Sequence, residues 1–184
     1  MTSSELSGQK NEERKALVSK LENIGKQEIY VWKEMVLSDK TLFPEIYRLI
    51  YCDNPRIAWH AAWVIDHVSE AEPAMLTSCV PELINHLGNL THDSLKRHFT
   101  RMLLKQPIPE NQLGLLINLL YDLLSPSEAV AVRANAMQLL YNISKKEPDL
   151  QNEFRIVLTA LLEDECSPGI RSKGRNLLRS LGHQ

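Results

Sequence analysis

Val132-Arg133-Ala134-Asn135-Ala136-Met137-Gln138-Leu139-Leu140 carries apolar side chains at Val132, Ala136, Leu139 and Leu140. That i, i+4, i+7, i+8 spacing is the buried face of an amphipathic helix. The same spacing recurs at Ile57, Ala61, Val64 and Ile65, at Leu95, Phe99, Met102 and Leu103, and at Ile170, Gly174, Leu177 and Leu178. The starting positions 57, 95, 132 and 170 lie 38, 37 and 38 residues apart. A period of this size marks a helical solenoid, in which each unit buries its apolar face only by stacking on its neighbours.

The segments between these helices repeat too. Leu17, Ile46, Leu83, Leu120 and Leu158 form one column, and Leu21, Ile50, Leu87, Leu124 and Leu162 form another four residues on. Each unit is therefore a pair: an A helix carrying these two columns, then a B helix carrying the four described above. The first step in both columns is 29 residues, so the first unit is short. Its B helix has Ile29, Val36 and Leu37 in the apolar slots and Lys33 in the i+4 slot, which suits a terminal unit with a solvated outer face. The expectation is an all-α chain, an α-α superhelix of about five helix pairs. Residues 1–10 read as a disordered tail and 11–184 as a single repeat domain.

Turn residues fall between the predicted helices. Asn54-Pro55, Ser125-Pro126 and Ser167-Pro168 each read as an N-cap followed by proline at the first helical position. Ser125 and Glu128 have capping-box spacing. Pro73, Pro109 and Pro148 are expected to begin A helices, and Pro44 and Pro81 to start or kink them. Gly25 reads as a helix C-cap.

Composition narrows the function classes. Hydrophobic residues make up 43% of the 184, enough for a substantial core. The net charge of −2 lacks the basic excess of a dedicated nucleic-acid binder, so nucleic acid is not the expected partner. Cys52, Cys79 and Cys166 are odd in number and widely spaced, and read as small buried apolar residues in a reducing compartment. The polar start, Met1 to Asn11, has no signal-peptide pattern, and no apolar run approaches a membrane span of ~20 residues. A cytoplasmic protein is expected.

Leu42-Phe43-Pro44-Glu45-Ile46, followed by Asp53, Ile57, Ala61 and Val64-Ile65, resembles the HEAT repeat of the armadillo-type α-α superhelix. Val132-Arg133, Ala136 and Leu139-Leu140 resemble the second helix of that repeat, including a basic residue after the first apolar one. Lys96 and Arg171 share this basic position, Ala58 departs from it, and Ser125 departs from the acidic inter-helix position that Asp53 fits. The resemblance covers roughly residues 12–182. It implies that B helices line the concave side and that the basic column pairs with acidic residues of an adjacent unit. It also implies scaffolding or protein binding more often than catalysis.

No catalytic or metal-binding motif is visible, and neither an enzymatic activity nor a cofactor is expected. His60 and His98 share a B-helix column, but helix axes pack ~8–10 Å apart, too loosely for a metal pair. Trp59, Trp63 and Asp66 form a stripe beside the core columns of the second B helix, with His60 and His67 flanking it. Later units fill those columns with Arg97, Arg101 and Leu104, with Ala134, Gln138 and Tyr141, and with Ser172, Asn176 and Arg179. The repeat does not itself demand an indole there. Trp59, Trp63, His60, Asp66, Arg97, Arg101 and Tyr141 are thus the expected partner-binding residues on the concave face, since Trp, Tyr and Arg dominate binding hot spots. The alternative is a DNA-binding or alkylated-base glycosylase-like protein on the same superhelix, with Trp63 meeting a cationic base and Asp66 a developing sugar cation.

Overall fold

The computed structural model describes residues 19–163 and 167–182. The expected tail at 1–10, Leu17, Cys166 and His183 lie outside them. Among the described residues the chain is all-helical, and its helices alternate as the repeat pattern requires. After a helical stretch at 19–22 come α1 (Lys26–Ser38), α2 (Leu42–Leu49), α3 (Pro55–Ala71), α4 (Val80–Leu87) and α5 (Asp93–Leu103). They are followed by α6 (Glu110–Asp122), α7 (Val130–Ser144), α8 (Pro148–Glu163) and α9 (Pro168–Gly182). The B helices are α1, α3, α5, α7 and α9. Contacts divide the chain into two compact units, Met1–Leu76 and Thr77–Gln184.

In the first unit, α3 packs on both α1 and α2. Ile57, Ala61, Val64 and Ile65 of α3 are buried, as are Ile29 and Val36 of α1 and Ile46 and Ile50 of the second pair. Trp32, which the repeat pattern leaves unassigned, is buried here as well. Asn54 caps α3, its side-chain oxygen accepting from the backbone N–H groups of Arg56 (3.0 Å) and Ile57 (3.4 Å). Gly25 is an N-cap rather than a C-cap. It lies before α1 with φ −100°, and its N–H donates to the Glu28 carboxylate at 3.0 Å. Its φ also excludes the left-handed turn with which a glycine closes a preceding helix.

In the second unit, α7 packs against α5, α6, α8 and α9. The apolar columns behave as the sequence pattern requires. Leu83, Leu120 and Leu158 are fully buried, and so are Phe99, Met102, Val132, Ala136 and Ile170. Leu162 and Leu178, in the last pair, are only half-buried. Gly174 fills its buried slot because a Cβ there would lie 2.9 Å from Leu162 Cδ2 and 3.3 Å from Met137 Cε.

Two expected helix starts move. α7 begins at Val130, not at Pro126, and Ser125 is not its N-cap. The Glu128 carboxylate is held by Lys96 of α5, and the Ser125 hydroxyl faces that of Ser127 at 2.8 Å, so neither completes a capping box. Pro73 opens a 3-10 segment, Pro73–Cys79, and the α-helix starts only at Val80. Pro81 explains this. It has no N–H for the carbonyl four residues back, and its ring collides with that carbonyl in an α-helix. Pro148 begins α8 and Pro168 begins α9 as expected, the Ser167 hydroxyl accepting from Ile170 N–H at 3.4 Å.

Of the basic column, Lys96 pairs with Glu128, which precedes the next B helix. Arg133 instead donates through Nε to the Leu124 carbonyl at 3.1 Å, satisfying an acceptor at the end of α6. Glu165, at the position equivalent to Glu128, is outside the described residues. Cys52 and Cys79 are half-buried rather than buried.

Leu120 is 0% exposed, so Leu120→Ala should lower stability by about 2–5 kcal/mol in urea unfolding through lost burial and a cavity. Asp39, just after α1, accepts from the N–H (3.0 Å) and hydroxyl (2.6 Å) of Thr41, and these bonds hold its carboxyl below the usual carboxylate value. The folded chain therefore binds this proton less readily than the unfolded one. The resulting stabilisation is present above the ordinary carboxylate range and disappears as pH falls through the depressed value. An NMR titration should show the depressed midpoint, and Thr41→Val should raise it.

Candidate functional site

On α3 the period of 3.6 places Trp59 and Trp63 one turn apart on the same face. Their rings stack with centroids 5.9 Å apart and planes at 15°. Trp63 Nε1–H donates to His67 Nε2 at 3.0 Å, and His67 Nδ1 lies 3.3 Å from Glu70 Oε2. Because Nε2 accepts, the imidazole proton sits on Nδ1 and points to the Glu70 carboxylate. Trp63, His67 and Glu70 thus form a hydrogen-bonded line along one helix. Tyr30 of α1 rests on the His67 ring at 5.0 Å.

Trp59 and Trp63 are both half-buried: each packs partly on its helix and shows part of its surface to solvent. On α1, Tyr30 is 44% exposed, Val31 58% and Met35 45%, around a shallow cup that Glu34 and Ser38 complete. The first unit therefore carries a contiguous aromatic and apolar surface. His60 and Asp66 lie inward from it. His60 is 2% exposed, with Nδ1 2.7 Å from the Leu21 carbonyl at the end of the first helical stretch. Asp66 is 0% exposed. The stripe read from sequence thus splits: its indoles reach solvent, while the histidine and the carboxylate belong to the interior.

In the second unit, Arg97 is exposed and Arg101 half-buried on α5, and Tyr141 is half-buried on α7 with Lys145 Nζ 5.7 Å from its ring centre. Polar bonds stitch the three B helices together beside these residues. Asn135 Nδ2 of α7 donates to the Arg97 carbonyl (3.3 Å) and the Thr100 hydroxyl (3.0 Å) of α5. Lys173 of α9 donates to Gln138 of α7, and burial lowers the lysine's pKa. Arg179 donates to Asn176 one turn back on α9.

Charge is segregated in this unit. The B helices hold Lys96, Arg97, Arg101, Arg133, Arg171, Lys173, Arg175 and Arg179 against one acid, Asp93. The A helices hold Glu82, Glu110, Asp122, Asp149, Glu153 and Glu163 against Arg155 alone. The sequence reading singled out one basic column on the B helices but not this wider division of charge between A and B helices. It also missed a cleft of about 820 Å³ at the ends of α5 and α7, lined by Leu104, Ile108, Leu113, Leu139, Ile143 and Lys145. Its walls come partly from α6 and α7 and partly from two inter-helix connections, and the connections carry no periodic signal.

Among the described residues, no cluster of three or more His, Cys, Asp or Glu side chains could hold a metal ion. Among them, too, no helix is long and apolar enough to cross a membrane.

The alternating helices and their buried columns define an all-α repeat protein built of helix pairs. The chain belongs to the HEAT-repeat family: the family model described as HEAT repeat domain matches residues 14–181. Comparison with curated proteins and with solved structures gave no match. HEAT repeats generally mediate protein–protein interaction and are typically non-catalytic.

The His67 bond predicts its own readout. His67→Leu removes the acceptor of the Trp63 N–H, and should shift tryptophan emission to the red while costing about 1 kcal/mol of stability. Unchanged emission would mean that the indole is positioned by packing alone.

Proposed function

We propose that this chain is a non-enzymatic protein-interaction module or scaffold whose partner docks on the exposed, concave-side faces of the B helices. The observation that carries this reading is the pair of stacked, half-exposed indoles, Trp59 and Trp63, of which Trp63 is oriented by its bond to His67 and, through it, Glu70. A preordered aromatic surface loses little side-chain freedom on binding, which is why such residues serve as hot spots. Tyr30, Val31 and Met35 extend the apolar area of the first unit. Arg97, Arg101 and Tyr141 offer a separate contact surface on the second.

His60 and Asp66 enter this reading as supports. His60 fixes α3 to the carbonyl of Leu21, and Asp66 lies beneath the face that carries the indoles. The buried position of Asp66 also weighs against the base-excision alternative, which needs that carboxylate to face a sugar beside Trp63. The module as proposed requires no cofactor, and its place of action is the cytoplasm.

Affinity capture from native lysate, read by mass spectrometry, tests the reading. Trp63→Ala should weaken the captured interaction by on the order of 2 kcal/mol and leave most of the helical signal intact. A large loss of stability with capture unchanged would show that Trp63 is a packing residue and that the partner docks elsewhere.

A further inference from the structure

Three B helices lie side by side in the second unit, α7 between α5 and α9. Their solvent-facing columns hold arginines at both sides and none in the middle, where Lys145, just past the end of α7, lies over the Tyr141 ring. α5 presents Arg97 and Arg101, and α9 presents Lys173 and Arg179. Between them α7 presents Ala134, Asn135, Gln138 and Tyr141, and its one cation, Arg133, is buried on the Leu124 carbonyl. The one acid on these three helices, Asp93, stands one turn before Arg97 at the start of α5. The hydrogen bonds from Asn135 to α5 and from Lys173 to Gln138 show that the columns adjoin and form one surface.

We propose that this surface binds an extended acidic polypeptide segment, with carboxylates at its two ends and an apolar residue between them that lies on Tyr141. The length follows from geometry. Axes of packed helices are ~8–10 Å apart, so α5 and α9 are about 16–20 Å apart across α7. An extended chain advances ~3.3–3.6 Å per residue, so roughly five residues separate the two acidic ends. Guanidinium groups at Arg97, Arg101 and Arg179 offer paired N–H donors that match a carboxylate. A nucleic-acid strand matches less well. It carries a charge on every nucleotide and would set several phosphates against Ala134, Asn135 and Gln138 of α7, where little counterion release rewards them. This inference shares with the reading above only the premise that B-helix faces bind protein, and it uses the second unit alone.

Fluorescence anisotropy on the full chain tests it. The probe is a labelled peptide of about nine residues with two glutamates at each end and alanine and leucine between. Controls are the same peptide with lysine for glutamate and a single-stranded oligonucleotide of equal charge. Saturable binding of the acidic probe is expected at ~50 mM salt, weaker at ~150 mM. Arg97→Glu combined with Arg179→Glu should weaken it at least about tenfold with circular dichroism unchanged, while Ile156→Ala, exposed on α8, stays within about twofold. Should the double reversal unfold the chain, Arg97→Ala and Arg179→Ala measured singly carry the test, each losing about threefold. No saturation by the acidic probe, equal binding of the lysine probe, or tighter binding of the oligonucleotide overturns the proposal. So do arginine variants that bind as wild type, or loss of binding in Ile156→Ala alone.

Discussion

The lateral burial of B helices is the constraint on which the rest depends. A single helix pair cannot hide both flanks of its B helix, so the neighbouring pair must cover what remains. In the second unit α7 shows the result: Val132, Ala136 and Met137 are all fully buried, by neighbours on more than one side. Only a narrow strip of α7 then reaches solvent. Residues on such a strip answer to few packing demands, so their chemistry is open to be set by what they meet. That is why Trp59 and Trp63, Arg97 and Arg101, and Tyr141 are informative, although the columns beside them are interchangeable aliphatics.

The same constraint explains an anomaly on α9. The slot five residues after the first apolar position holds Ala62, Thr100 and Met137 in three earlier B helices, each buried. On α9 it holds Arg175, which is exposed. Burying an unpaired guanidinium there would cost several kcal/mol, and Arg175 avoids that cost by remaining in solvent.

Helix pairing, column register and most burial were legible in the sequence because each is written as a period, and a period is repeated evidence for a single rule. What failed was not periodic. Ser125 has the spacing of a capping residue, yet Lys96, a whole helix away in sequence, occupies the Glu128 carboxylate that the box requires. Pro73 looked like a helix start until Pro81, eight residues on, forced the break to Val80. Gly25 could close one helix or open another, and the nearby Glu28 carboxylate decided it. In the candidate site, position on the helical wheel put Trp59 and Trp63 at the edge of the core, where both are half-buried. It did not foresee the burial of Asp66, or of His60, which meets the Leu21 carbonyl of the first helical stretch.

The central claim is that contacts are made on the solvent-facing strip of the B helices and not on the A helices, where Leu115 and Ile156 are also exposed. Site-specific photo-crosslinking in native lysate tests it most directly, with a photoreactive side chain placed in turn at positions 59, 97 and 156. The account predicts a discrete crosslinked polypeptide from position 59, from position 97 or from both, and none from position 156. A discrete product from position 156 alone would contradict it.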